Sequence, residues 1–386
     1  MKQFHYLLFF IAGGFFTTLF TQTSLADRIQ LSMYEEELYE WYTFKELFHE
    51  GLSYKWEGEV DQAMSYFKAA VKKKPTNPEA NWNLGDCFLL LGDYERGFMG
   101  FNWRWVNDPL YKNKLWQGQD LKNKKILIYC QWGFGDTFMY IRYAKILKDR
   151  GGTVLCICQK PLVPLLSLCP FIDKCSSDFT DSSLYDYQVP ISFLPELLAT
   201  RIDTIPQEVP YLYAHKELEK KWHSLLNQKN FTIGICWHGA DRNNPQMKLR
   251  SMPLSSLKPL FSLPNTTIYS LQQNEGSEQL SNLPPSYTLH TFDETFDKIH
   301  GSFMDTAAVI KNLDLIITID TSIAHLAGAL NVPVWVMLPY ANEWRFLLNR
   351  TDSPWYPTMK LFRQSSKRCW NEVVNHIVEE LNKILK

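Results

Sequence analysis

The chain has 386 residues, 45% hydrophobic and 15% aromatic, with 40 basic against 41 acidic side chains and a formal net charge of −1. That length allows two or three domains, and the apolar fraction is enough for real cores. The balanced charge gives no electrostatic pull toward nucleic acid.

Residues 1–26 differ from everything after them. Lys2 is the only charge before Asp27, Tyr6 to Phe20 is almost unbroken apolar sequence, and Ser24-Leu25-Ala26 puts small residues at the usual cleavage positions. This pattern predicts a secretory signal, or a loose membrane anchor. Cysteine usage points the other way. Cys87, Cys130, Cys156, Cys158, Cys169, Cys175, Cys236 and Cys369 include several within apolar runs that read as strands. Buried free thiols suit a reducing compartment. There is no Cys-x-x-Cys pair, and Cys156-x-Cys158 is not a zinc spacing. The leader thus predicts export or anchoring, and the thiols predict the cytoplasmic side.

Residues 27–116 form a first region, of which 31–106 read as helices. Phe44–Asn77 carries Gly51, Tyr54, Gly58, Ala63, Phe67, Ala70 and Pro75 at the spacing of a tetratricopeptide repeat of about 34 residues. One register later come Leu84, Gly85, Phe88, Gly92 and Phe101, with Gly97 and Arg104 where alanines are usual, so the second repeat is degenerate. Two repeats are few for a free solenoid. They predict either a partner-binding groove or a helical cap packed on the next domain.

From residue 117 the pattern becomes α/β, with a first half over 117–210 and a second over 211–386. Lys125–Cys130 reads as a strand, Gln131–Asp136 as a glycine-rich turn, Thr137–Arg150 as a helix and Thr153–Cys158 as a strand. The turn is neither a dinucleotide fingerprint nor a Walker loop. Residues 171–210 are proline-rich and loop-like. In the second half, a helix over 216–228 precedes a strand at Phe231–Trp237 and a polar loop to Arg250-Ser251. Thr267–Gln272 reads as another strand, and Asp305-Thr306-Ala307 as the start of a helix. Residues 344–364 read as an aromatic loop and 370–386 as a closing amphipathic helix.

The stretch from Leu313 to Leu338 is the most informative. An apolar run to Ile319 predicts a buried, parallel strand. Asp320, Thr321 and Ser322 are all helix-capping types. A short helix follows, ended by Asn331 and Pro333, and Val334–Leu338 returns as a strand. Ligands in open α/β sheets bind beyond the carboxyl ends of strands, and a helix N-terminus there suits phosphate. Thr321 and Ser322 offer hydroxyls, and His325 lies on the same helical face. A plain cap at Asp320 and a satisfied core histidine at 325 would also account for these residues.

The string Asp320-Thr321-Ser322-x-Ala324-His325-Leu326-Ala327-Gly328-Ala329-Leu330-x-x-Pro333 resembles the donor-site motif of the heptosyltransferase-like glycosyltransferases of family 9. Trp132-Gly133-x-Gly135-Asp136, followed by Ile141-Arg142-Tyr143-Ala144, resembles the same family. Trp355-Tyr356-Pro357 and Arg363-Gln364 resemble the tail of its subgroup with leading tetratricopeptide repeats. The resemblance runs from about residue 44 to the C-terminus. It implies a GT-B fold, two Rossmann-like α/β domains facing across a cleft, preceded by the all-α repeat region. The implied activity is inverting, metal-independent transfer of a sugar from a nucleotide-sugar to an acceptor hydroxyl. Asp136 would be the catalytic base. Arg250 and the helix start at Thr321, Ser322 and His325 would hold the donor diphosphate, with Asp320 also at the donor site. Gln272, at the polar end of its strand, is the candidate for hydrogen-bonding the donor's nucleoside. No metal and no cofactor are expected, since the nucleotide-sugar is a substrate and no Asp-x-Asp pair occurs. The expected acceptor is a glycan, a lipid-linked group or a protein, with a protein partner on the repeats and no nucleic acid. The other reading is a non-catalytic repeat protein carrying an inert or sugar-nucleotide-binding body.

Overall fold

A computed structural model describes residues 39–105, 113–178, 181–226, 229–240 and 245–385. The leader segment lies outside them. Among the described residues no helix is long and apolar enough to cross a membrane.

Among the described residues the first region holds four α-helices in two antiparallel pairs: α1 (Phe44–Glu57), α2 (Val60–Lys73), α3 (Pro78–Leu90) and α4 (Tyr94–Phe101). Thr43 starts α1 through a reciprocal box. Its hydroxyl accepts from the Glu46 N–H at 3.3 Å, while the Glu46 carboxylate accepts from the Thr43 N–H at 2.8 Å. Such caps contribute about 0.5–2 kcal/mol. At Gly85 the two helices of the second pair touch backbone to backbone. A Cβ there would lie 2.4 Å from the Phe101 nitrogen, so only glycine fits.

The helices do not stand alone. Tyr94, Phe98 and Phe101 pack edge-on around the ring of Trp344, from near the far end of the chain. Trp355 donates its indole N–H to the Tyr94 hydroxyl at 3.2 Å. Trp344 and Trp355 are both about 1% exposed, so removing the helices would uncover two large aromatic side chains. The repeat region is therefore a cap packed on the body.

The body holds two parallel sheets. β1 (Lys125–Tyr129), β2 (Thr153–Ile157), β3 (Lys174–Ser176) and β4 (Tyr187–Pro190) make the first, in the order β3-β2-β1-β4. β5 (Phe231–Cys236), β6 (Thr266–Ser270), β7 (Leu315–Ile319), β8 (Val334–Leu338) and β9 (Met359–Arg363) make the second, in the order β6-β5-β7-β8-β9. β7 is buried at all five positions and lies between β5 and β8 in parallel register, which its unbroken apolar sequence demands. This is a tetratricopeptide-type helical region followed by two Rossmann-like sheets, the GT-B arrangement.

Three expectations need correction. The single helix at Thr137–Arg150 is two, α5 (Phe134–Tyr140) and α6 (Tyr143–Asp149). Buried Arg142 takes the Met139 carbonyl, which a continuous helix would use, and also bonds the carbonyls of Pro206 and Trp355. The proline-rich stretch 171–210 contains β3 and β4, three and four residues long, too short to show a period. The aromatic tail contains β9, which pairs with β8 and, through Lys360, makes an isolated antiparallel bridge to Asp352. α7 (Lys216–Leu225), α8 (Met304–Lys311), α9 (Ser322–Ala329) and α10 (Trp370–Ile384) complete the helices used below.

Candidate functional site

The carboxyl ends of β1, β5 and β7 open on one cleft of about 1220 Å³. Both sheets contribute walls, and so does the repeat region through Trp82, Asp86 and Arg104. This exceeds the usual small-ligand pocket, about 300–1000 Å³, and leaves room for two reactants.

β1 leads through Trp132-Gly133 into α5, and β7 leads through Asp320-Thr321 into α9. The two helix starts meet. A Cβ on Gly135 would lie 3.6 Å from the Ser322 Cα and 2.8 Å from the His325 Cδ2, so glycine at 135 is what lets the halves approach.

In the second turn Thr321, not Asp320, is the cap. Its hydroxyl accepts from the Ile323 N–H at 3.3 Å. Among the described residues the N–H and hydroxyl of Ser322 have no partner, and Ser322 lines the cleft. Asp320 sits between Arg250 and His325: its carboxylate is 3.9 Å from the Arg250 Nη1 and 3.9 Å from the His325 Nε2. Arg250 donates to the Ala240 carbonyl at 3.2 Å, and its Nε is buried without an acceptor.

His325 is 3% exposed. Burial pushes its pKa down to about 4, against the opposing pull of Asp320. The ring is therefore neutral at pH 7. The His325 Nδ1 meets the Tyr356 hydroxyl at 3.0 Å, and that hydroxyl also lies 3.5 Å from the Tyr211 hydroxyl, which donates to the Phe138 carbonyl at 2.8 Å. The other ring nitrogen, Nε2, faces Asp320.

In the first turn Gly133 occupies the cap position and Asp136 the third residue of α5. Its Oδ2 accepts from the Gly133 N–H at 3.0 Å. Its Oδ1 is ion-paired with Arg345, from the second half of the chain. Arg345 also reaches Glu343, and the two carboxylates outweigh burial to hold its pKa up. Each carboxylate oxygen of Asp136 keeps one further lone pair.

Gln272 does something other than meet a nucleoside. Its Oε1 accepts from the N–H groups of Trp237 and His238 at 3.1 and 2.9 Å and from the Cys236 thiol at 3.2 Å. Its Nε2 donates to the carbonyls of Glu275 and His238 at 2.7 and 3.0 Å. With the amide saturated at 7% exposure, Gln272 is a strut between the ends of β5 and β6.

The structure thus brings Asp136, Arg250, Asp320, Thr321, Ser322 and His325 to one cleft and assigns Gln272 a scaffold role. Sequence reasoning missed Arg345 and Arg104. Arg345 lies 209 residues from Asp136, and no local pattern marks that pair. Arg363 and Gln364, quoted only for their resemblance, hold the loop that carries it. Arg363 donates to the carbonyls of Arg350 and Phe346, and Gln364 accepts from the Tyr340 N–H at 3.1 Å. All eight cysteines are free thiols, and Cys130 and Cys156 touch at 3.5 Å. Among the described residues no group of His, Cys, Asp or Glu is placed to hold a metal.

Residues 57–97 match the tetratricopeptide repeat family. The chain is 22% identical over 358 residues to Protein FlbA of Caulobacter vibrioides, an alignment spanning 84% of this chain and 59% of FlbA. It therefore spans about three fifths of the length of that curated relative. Among solved structures it is similar to a family 9 glycosyltransferase from Veillonella parvula, with 13% identity, 70% of this chain and 92% of that one covered, and a TM-score of 0.45. It is likewise similar to the ADP-heptose lipopolysaccharide heptosyltransferase II of Escherichia coli, with 15% identity, 68% and 98% covered, and a TM-score of 0.47.

Proposed function

We propose that this protein transfers a sugar from a nucleotide-sugar to an acceptor hydroxyl, with residues 117–210 as the acceptor half and 211–386 as the donor half. One observation carries the reading. A carboxylate held at one helix start, Asp136, and unpartnered hydrogen-bond donors at another, Ser322, meet in a single two-walled cleft. General base and leaving-group stabiliser are what glycosyl transfer needs on opposite sides of the reacting carbon.

In this mechanism the free lone pair of Asp136 takes the acceptor's proton as the acceptor oxygen bonds to the anomeric carbon. The bond from that carbon to the diphosphate breaks, and its electron pair stays on the phosphate oxygen. Ser322, the N-terminus of α9, Arg250 and His325 would hold that charge. A single displacement inverts the anomeric centre. The residues named supply base and charge stabilisation without a metal. The acceptor is a glycan, a lipid-linked group or a protein, and the repeats offer the surface for a protein partner.

The test is incubation of the full chain with a panel of nucleotide-sugars, following nucleotide release and, with an accepted substrate, the anomeric configuration by NMR. Release of nucleotide with an inverted product supports the reading. A folded protein that binds no nucleotide and turns over no nucleotide-sugar leaves the non-catalytic repeat protein in its place.

A further inference from the structure

We propose that the end of the repeat region and the glycine-rich turn form a subsite for an anionic group, a carboxylate or phosphate carried by the acceptor, with Arg104 as its binding residue. This rests on the transferase reading for its acceptor role, and it names a chemistry that the reading leaves open.

Arg104 follows α4 in a short 3-10 turn. Its guanidinium lies between two aromatic rings set edge to face, with its carbon 3.1 Å from the centre of the Trp132 ring and 3.6 Å from that of Phe101. Trp105 stacks on Trp132 at 4.7 Å and is itself anchored by Ser192. Aromatic faces satisfy the flat sides of a guanidinium but accept nothing from its edge, where the N–H bonds lie. Nε and Nη2 of Arg104 are buried with no acceptor, and among the described residues no carboxylate makes a salt bridge to it. Asp136 and Asp86 bear on it without making a salt bridge to it. Burial pulls its pKa down to about 9, which leaves it charged at neutral pH.

Another buried donor beside it is unpartnered, the indole N–H of Trp82. Trp82 lies 5.4 Å from the guanidinium. A guanidinium with buried N–H groups and no counter-ion among the described residues, next to another unfilled donor on the wall of a cleft, is a site built for an oxyanion. The planar fork of Arg suits a carboxylate or phosphate edge-on. Position assigns the anion to the acceptor. Trp132 lies four residues before Asp136 on the first-half wall, whereas Ser322 and Arg250 lie on the other.

The experiment titrates the full chain with glucuronate, glucose 6-phosphate and neutral glucose by calorimetry, and repeats this on Arg104→Lys and Arg104→Gln. Expected is binding of one or both anionic sugars at least about tenfold tighter than glucose, and a loss of about tenfold to a hundredfold in both variants. Nucleoside diphosphate binding in those variants should stay within about twofold, since its proposed site is on the other wall. In the unsubstituted protein the Trp82 indole N–H signal should shift with the anionic sugars and not with glucose, a readout independent of how the variants fold. The preference for carboxylate or phosphate identifies which anion the subsite takes. Equal affinity for anionic and neutral sugars, an unmoved Trp82 signal, or variants that bind the anions undiminished would each overturn the proposal. Nucleotide binding without anion binding overturns this proposal alone. Anion binding without nucleotide binding overturns the transferase reading and, with it, the acceptor assignment.

Discussion

The two helix starts that meet in the cleft are built alike and electrostatically opposed. Each follows a buried parallel strand, and each turns sharply into a short helix. At the first, the polar side chain closes on its own helix: Asp136 accepts from Gly133 and is tied to Arg345. At the second, Thr321 does the capping, so Ser322 keeps its donors free. One turn therefore presents a fixed negative charge and the other an open positive end. The same strand–turn–helix unit becomes base or phosphate cradle according to whether the capping group is spent inside the turn.

If that division of labour is real, substitutions at the two turns act on different quantities. Asp136→Asn keeps the Gly133 contact but removes the basic carboxylate. Turnover should fall by about a hundredfold to ten-thousandfold, with donor affinity nearly unchanged, measured by steady-state rates beside calorimetric titration. Normal turnover would mean that Asp136 serves only to tie the halves together through Arg345.

Arg345→Leu tests that tie. It leaves Asp136 partly buried without its partner, and breaking a buried pair costs about 3–5 kcal/mol at most. Side chains about one-sixth exposed place this pair toward the low end. Urea unfolding should show the loss, and Asp136→Asn/Arg345→Leu should recover part of it. No coupling between the two sites would remove the ion pair from the account.

Smaller effects belong to the second turn. Arg250→Ala and His325→Ala each remove one donor facing the proposed diphosphate, and donor binding should weaken by about tenfold to a hundredfold. If both variants bind nucleotide-sugar as the parent does, the turn is structural. Deleting residues 39–105 is not a clean test of the repeats, because Trp344 and Trp355 would be uncovered together and the body should lose stability.

What the sequence made legible depended on chain distance. The turn at Asp320–His325 could be read because its meaning lies in consecutive residues: an apolar run, three capping types, a helix and a strand. The repeat pair was legible because glycines recur where helices touch. Arg345 and Arg104 were not, because Asp136 and Trp132, which place them in the cleft, are 209 and 28 residues away and are chosen by packing. Gln272 shows the converse error. A polar side chain after a strand looks like a ligand contact until its amide is found filled by backbone.

The last test concerns His325 alone. Its folded pKa of about 4 lies below the unfolded value of about 6.5. Between those values the unfolded chain binds the proton and the folded chain does not, so stability rises with pH across that window. The contribution is complete above pH 6.5 and is lost as pH falls toward 4. At pH 5 the deficit should be about 2 kcal/mol relative to pH 7. His325→Asn cannot titrate and should lack this part of the slope. Asp320, Asp136, Arg345 and Arg142 all bear on the ring, two favouring its charge and two opposing it, and burial decides the outcome. The measurement is urea unfolding of both proteins at pH 7 and pH 5, taken as a difference so that titrations common to both cancel. An equal loss in the two proteins would mean that His325 is charged or exposed. It would then meet phosphate as a cation, and donor binding should strengthen below pH 6.5 instead of holding level.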